Sequence, residues 1–166
     1  MNASAGADTV NVGNLGNSLD NILGAVLVNG GAGGVGHYAV QYAHHLGAHV
    51  TATCGPDNVA FVRGLGADEV LDYTREDYAA ATAPFDVIFD TTGHASWRAC
   101  RQVLAPEGVY VNTSPDAASV VKTLAEKVAA RLAGRQRVVA FVLKPRAEAW
   151  RRLAKLAEAG AIVPHV

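Results

Sequence analysis

From Ala25 onward, compact apolar runs alternate with segments of helical periodicity. The runs at about 25–29, 49–53, 69–71, 86–89, 109–112 and 138–143 predict six short strands. Between and after them, helices are predicted at about 34–46, 56–65, 95–104, 117–133 and 146–158. In the first helix, Val35, Ala39, Val40, Ala43 and Leu46 share one face. Pro56 sits at the first-turn position that proline tolerates, and Gly64 and Gly66 end that helix. The 95–104 helix is expected to stop before Pro106-Glu-Gly108, and the next two stop at Gly134 and Gly160. A short polar segment, 74–81, follows the third strand.

Apolar strands separated by helices are the pattern of a parallel sheet covered on both faces. The fold class is therefore α/β: a doubly wound parallel sheet of about six strands in a single domain over 25–166. Right-handed crossovers give the strand order 3-2-1-4-5-6 most simply. Residues 1–24, with five Asn and four Gly and little apolar periodicity, are expected to form a flexible leader. The ligand crevice of such a sheet lies at the carboxyl ends of the strands, where the order reverses. That places the tips Asn29–Gly36, Cys54–Asn58, Asp90–His94 and Asn112–Pro115 around it.

The first of these tips carries the strongest chemical signal. Gly31, Gly33 and Gly36 fit G-x-G-x-x-G between a strand and a helix, the context that a dinucleotide-binding (Rossmann) loop needs. Gly31 is expected to allow the tight turn, and Gly33 and Gly34 to let the backbone approach a pyrophosphate. Gly36 would seat the helix close on the sheet. Ala32 and Val35 complete the loop, and the helix N-terminus supplies N–H groups for phosphate.

Half of the 166 residues are hydrophobic, enough for a sizeable core. No apolar run approaches the roughly 20 residues that cross a bilayer, and no secretory signal is recognisable. Cys54 and Cys100 are too few and too far apart for a disulfide framework or a metal cluster, as expected of a cytoplasmic protein. Net charge is −1, but residues 1–114 hold 4 basic and 11 acidic side chains, and residues 115–166 hold 10 and 4. No aromatic residues interleave with the basic ones. They are expected to be solvated helix faces, with no nucleic acid as partner.

The chain resembles the cofactor domain of medium-chain dehydrogenases/reductases, in the zinc-free quinone-oxidoreductase branch. The matching stretches are Val26-Leu-Val-Asn-Gly-Gly-Ala-Gly-Gly-Val-Gly36, Phe61-Val-Arg-Gly-Leu-Gly-Ala-Asp-Glu-Val-Leu-Asp-Tyr73, Phe85-Asp-Val-Ile-Phe-Asp-Thr-Thr-Gly93, Leu104-Ala-Pro-Glu-Gly108 and Phe141-Val-Leu-Lys-Pro145. The resemblance covers roughly residues 25–166. In that family a β-rich catalytic domain precedes and follows this one. Here 24 unrelated residues stand in front and the chain closes at Pro164-His-Val166, so the catalytic domain is expected to be absent.

The resemblance implies an NADP(H) cofactor, because strand two ends Thr53-Cys54-Gly55 without the acidic residue that reads an NAD ribose. Where relatives then place a basic residue for the 2′-phosphate, this chain has Pro56-Asp57-Asn58. Asp57 would repel a phosphate unless Arg63 reaches back; alternatively it is a helix N-terminal charge with no ligand role. Tyr73 is implied beside the adenosine, Thr92 and Gly93 along the cofactor, Asn112 and Thr113 near the nicotinamide, and Val142 and Leu143 approaching it from strand six. His37, Tyr38, His94 and Asn112 are the candidate catalytic residues, the two histidines as crevice-facing proton donors. No metal-ligand spacing stands out.

Strand six would form an apolar sheet edge, and the resemblance implies two-fold pairing through 138–143. Three functions follow. The first is an NADPH-linked reductase domain acting on a small-molecule enone, quinone or carbonyl, alone or with a separate catalytic partner. The second is a repurposed scaffold for a non-redox cyclisation or isomerisation. The third is a non-catalytic nucleotide-binding module.

Overall fold

In a computed structural model of the chain, residues 24–80, 83–113, 125–126, 128–130, 132, 134–140 and 147–165 are described. Alternation of strand and helix gives β1 (Ala25–Asn29), α1 (Gly36–His45), β2 (His49–Cys54), α2 (Val59–Gly64), β3 (Glu69–Asp72), β4 (Phe85–Asp90), α3 (Trp97–Cys100), β5 (Leu104–Asn112), β6 (Arg137–Ala140) and α4 (Ala147–Glu158). The strands form one six-stranded sheet in the order β3-β2-β1-β4-β5-β6. Every pairing is parallel. This is the doubly wound α/β architecture read from the sequence.

Period-two alternation sorts the core onto the two faces of the sheet. On one face, Val26, Val28, Val50, Ala52 and Cys54 pack with Val40, Ala43 and Leu46 of the α1 segment and with Val62 of α2. On the other, Leu27, Ile88 and Tyr110 pack with Trp97, Cys100 and Val103. Leu27 and Ile88 are fully buried, worth roughly 1.5–3 kcal/mol each relative to exposure. Val35, placed on the core face from the sequence, is instead exposed: it precedes α1 as its N-cap.

Two further expectations are corrected. The helix predicted over 95–104 is only Trp97–Cys100, started by Ser96, whose Oγ accepts from the Ala99 N–H at 3.3 Å. By Val103 the chain has already turned into the sheet, where its carbonyl takes the Phe85 N–H at 2.7 Å. Pro106-Glu-Gly108 lies inside β5, where the register with β4 shifts between Phe85 and Val87. A bulge of this kind admits a proline that a regular central strand would not. The predicted helix over 117–133 is helical at its described residues, and positions 141–143 of the sixth strand lie outside the described residues.

The register sets the stage for the site. Thr53, Asn29, Asp90 and Asn112 stand level with one another on β2, β1, β4 and β5. Four adjacent strands thus carry polar residues along one line at or next to their ends, at the switch point between β1 and β4. Among the described residues, no helix is long and apolar enough to cross a membrane.

Candidate functional site

The glycine loop joins β1 to α1, and its glycines divide the work differently from the sequence expectation. The tight turn belongs to Gly30, which has a φ of 86° and whose missing Cβ would lie 2.7 Å from both Thr91 Oγ1 and Thr92 Cγ2. Gly31 serves close packing instead: a Cβ there would stand 3.0 Å from the Ala52 Cβ. Gly36 seats α1, since its Cβ would fall 2.0 Å from the Gly30 carbonyl oxygen. The loop is cinched by Gly31 N–H to Thr53 O (2.8 Å), Gly33 N–H to Gly30 O (3.0 Å) and His37 N–H to Gly33 O (3.0 Å).

Gly33 and Gly34 face solvent, and a Cβ on Gly34 would meet nothing within 4 Å. No acceptor among the described residues takes the N–H of Gly34 or Val35. Helix α1 has no side-chain cap and no acidic residue in its first turn. Its N-terminal donors and dipole are therefore uncompensated, which is the arrangement that receives a phosphate.

Side chains at the strand ends are tied together. Thr53 Oγ1 accepts from the Gly30 N–H (3.0 Å) and donates to Asn29 Oδ1 (2.6 Å). Asn29 Nδ2 donates to Asp90 Oδ1 (3.0 Å) and to Thr92 Oγ1 (3.1 Å). Asp90 Oδ1 also accepts from Thr92 N–H (3.0 Å), Thr92 Oγ1 (2.8 Å) and Gly93 N–H (3.3 Å). Asp90 Oδ2 accepts from the Tyr110 hydroxyl (3.0 Å). Burial, and after it the Asp90 carboxylate, pushes the Tyr110 phenol far above its ordinary range, so it stays a donor.

At the far side of the crevice, Tyr73 lies exposed beside Gly55, whose Cβ would meet the tyrosine hydroxyl at 3.4 Å. Cys54 contributes backbone only: its carbonyl takes the Tyr73 N–H (3.1 Å), while its side chain belongs to the core. Asp57 and Asn58 are exposed in the short 3-10 turn Pro56–Asn58, which follows β2. Arg63 is exposed in the last turn of α2, six residues beyond Asp57 and roughly 9 Å along a helix axis. The described residues hold no ion pair between the two.

The candidate acids and bases separate. His94 is exposed beside Thr92, whose Oγ1 accepts its backbone N–H (3.2 Å). His37 is buried rather than presented to the crevice. Its Nδ1 lies 3.0 Å from the Gly33 carbonyl, and its ring packs on Tyr38 (4.0 Å between centroids) and edge-on to His165 (6.1 Å). Tyr38 is exposed. Asn112 is buried at the tip of β5, and the Thr113 N–H bonds the Asp90 carbonyl (3.0 Å). Val142 and Leu143 lie outside the described residues. The sequence reading passed over Asn29, Thr53 and Tyr110 as site residues; their one signal is that polar Asn and Thr end apolar runs at matching strand tips.

A doubly wound parallel sheet with an uncapped glycine loop at its switch point defines a Rossmann-type dinucleotide-binding domain. Residues 34–159 match the family of zinc-binding dehydrogenases, and the chain belongs to that family, as the cofactor domain of the medium-chain dehydrogenase/reductase superfamily. Over 141 residues it is 34% identical to the chloroplast envelope quinone oxidoreductase homolog of Arabidopsis thaliana, covering 82% of this chain and 42% of that protein. It is 39% identical over 107 residues to the mitochondrial NAD(P)H oxidoreductase RTN4IP1 of Danio rerio (63% and 27%). Among solved structures, the quinone oxidoreductase of Coxiella burnetii superposes with a TM-score of 0.75 at 26% identity, covering 86% of this chain and 44% of that one. The chain thus spans less than half the length of these proteins.

Zinc, which the family's name implies, does not fit the described residues. Among the described residues no three His, Cys, Asp or Glu side chains converge as a metal would require. Cys54 and Cys100 sit in cores on opposite faces of the sheet, where burial pushes both thiols up.

Proposed function

We propose that this chain is the cofactor-binding half of an NADPH-linked oxidoreductase whose acceptor is an enone, a quinone or a carbonyl compound. One observation carries the reading: the exposed Gly33–Val35 turn, where the N–H groups of Gly34 and Val35 are unclaimed at an uncapped helix N-terminus and neither Gly33 nor Gly34 has a Cβ. That cradle fits a pyrophosphate. The names of the relatives, a quinone oxidoreductase homolog and an NAD(P)H oxidoreductase, supply the reaction class and do not favour a non-redox role. NADPH is chosen over NADH because β2 ends in a buried Cys54 and Gly55, with no carboxylate at the strand tip to hold the ribose hydroxyls.

The nicotinamide supplies a hydride to the acceptor when bound. The chain's own residues bind and orient. The glycine loop holds the phosphates, and Tyr73 flanks the adenosine over Gly55. Thr92, Gly93, Asn112 and Thr113 line the nicotinamide end. His94, the exposed histidine at that end, donates the proton that the reduced acceptor needs. A catalytic domain or a separate protein roofs the substrate. Two copies pair through the β6 edge, which light scattering on the purified chain tests directly. Two free buried cysteines suit a reducing, cytoplasmic setting.

Calorimetric titration with NADPH, NADH and NADP⁺ tests the reading. Micromolar NADPH binding, at least tenfold tighter than NADH, is expected. No binding of any of the three overturns the reductase assignment, and a small ligand in the crevice instead would point to the non-redox alternative.

A further inference from the structure

We infer that Asp90 is a positioning residue that couples the two ends of the cofactor crevice, the Gly30–Gly31 entry to the phosphate loop and the Thr92–Gly93 turn. The inference rests on the proposed cofactor site, but its geometry stands without a ligand.

Four hydrogen bonds run in series across four strands. They pass from Tyr110 hydroxyl to Asp90 Oδ2 (3.0 Å), from Asn29 Nδ2 to Asp90 Oδ1 (3.0 Å), from Thr53 Oγ1 to Asn29 Oδ1 (2.6 Å) and from Gly30 N–H to Thr53 Oγ1 (3.0 Å). Thr53 on β2 and Tyr110 on β5 are three strand spacings apart, roughly 14 Å. Asp90 is the only carboxylate in this series, fully buried at 0% exposure. No Lys, Arg or His among the described residues forms an ion pair with it. Its charge is met by five hydrogen-bond contacts from neutral donors, four on Oδ1 and one on Oδ2.

A buried carboxylate satisfied in this way is costly to leave short of any one donor, so its neighbours are held jointly. Three of the five donors belong to Thr92 and Gly93, which turn at the nicotinamide end. A fourth, Asn29, passes the constraint through Thr53 to Gly30, whose φ of 86° sets the loop. Moving one end of the crevice therefore alters the donor set of the other.

The test uses Tyr110→Phe, Asp90→Asn and Thr53→Val, with Tyr78→Phe as the half-buried control. Tyr78 contacts Cys100 (3.7 Å) and takes no part in the series. In the protein without cofactor, the Gly30 and Gly31 amide resonances are expected to move in Y110F and D90N and to stay in place in Y78F. For NADPH affinity, the loss in the T53V/Y110F double variant is expected to fall short of the product of the single losses by at least threefold. Independent sites this far apart multiply within about twofold. Unmoved glycine amides in both Y110F and D90N, or losses that multiply within twofold, overturn the coupling. If the wild-type chain binds no NADPH, the functional reading fails, and the amide shifts alone still decide the inference.

Discussion

Gly34 and Gly36 stand two residues apart, and adding one methyl group to each should do opposite things. At Gly34 the Cβ enters open space, and the backbone is not in the left-handed region. Gly34→Ala therefore restricts the unfolded chain without straining the native one, worth about 0.4–1 kcal/mol of added stability. For a domain of this size that raises Tm by roughly 1–4 °C. The same methyl stands in front of the unclaimed N–H groups. Displacing a phosphate oxygen from charge-assisted hydrogen bonds worth about 1.5–3 kcal/mol weakens binding roughly 10- to 150-fold. At Gly36 the Cβ would lie 2.0 Å from the Gly30 carbonyl oxygen and 3.0 Å from the Gly31 Cα. Both are backbone atoms that cannot rotate aside, so α1 must back away from β1. Overpacking of this kind costs about 3 kcal/mol, near the top of the usual range, and lowers Tm by roughly 6–12 °C. Differential scanning calorimetry and NADPH titration on both variants read the two effects. A Gly34→Ala protein that binds NADPH like the wild type would refute the phosphate cradle. A Gly36→Ala protein as stable as the wild type would refute the close seating of α1.

Asp57→Asn should raise NADPH affinity several-fold and leave NADH binding unchanged, because an exposed carboxylate on the proposed 2′ side would act on a phosphate but not on a hydroxyl; paired calorimetric titrations check it. Gln41→Leu removes both bonds to the Val163 backbone (2.7 and 3.0 Å) and should cost about 1–3 kcal/mol, seen as a lower denaturant midpoint and faster proteolysis after residue 160. Burial holds Tyr78, Tyr110, Cys54 and Cys100 in their neutral forms, with folded pKa values above the ordinary 9.0 of a thiol and 10.0 of a phenol. The unfolded chain then binds fewer protons than the folded one at alkaline pH. The contribution of these groups is complete below about pH 9 and is lost progressively as pH rises past 9 and 10 toward the higher folded-state values, so urea midpoints measured from pH 7 to 11 should begin to fall above pH 9 and still be falling at 11.

The fold was legible because burial on both faces of a parallel sheet leaves a direct trace: Ala25–Val28 and Val87–Phe89 are apolar at consecutive positions. The glycine spacing was equally readable, though not which glycine turns. Only the backbone shows that Gly30, outside the G-x-G-x-x-G triplet, carries the positive φ. The helix expected over 95–104 failed for a reason that local periodicity does not contain. Phe85 N–H claims the Val103 carbonyl, so the chain must enter the sheet before the helical pattern ends.

The polar series at the strand tips was the least legible part, and the cause is physical. Of Thr53, Asn29, Asp90 and Tyr110, the pair Asn29 and Asp90 lies 61 residues apart in sequence, yet is hydrogen-bonded at 3.0 Å. Each alone reads as an ordinary strand residue. What joins them is register: Asn29 stands level with Thr53 on one side and Asp90 on the other. A one-residue slip of β4 would turn the Asp90 side chain to the opposite face of the sheet, away from Asn29 and Tyr110, and leave the buried carboxylate with only the donors of its own turn. The carboxylate thereby penalises wrong pairings of β1 with β4 as well as organising the crevice. The same buried charge that positions the proposed cofactor site helps select the sheet on which that site is built.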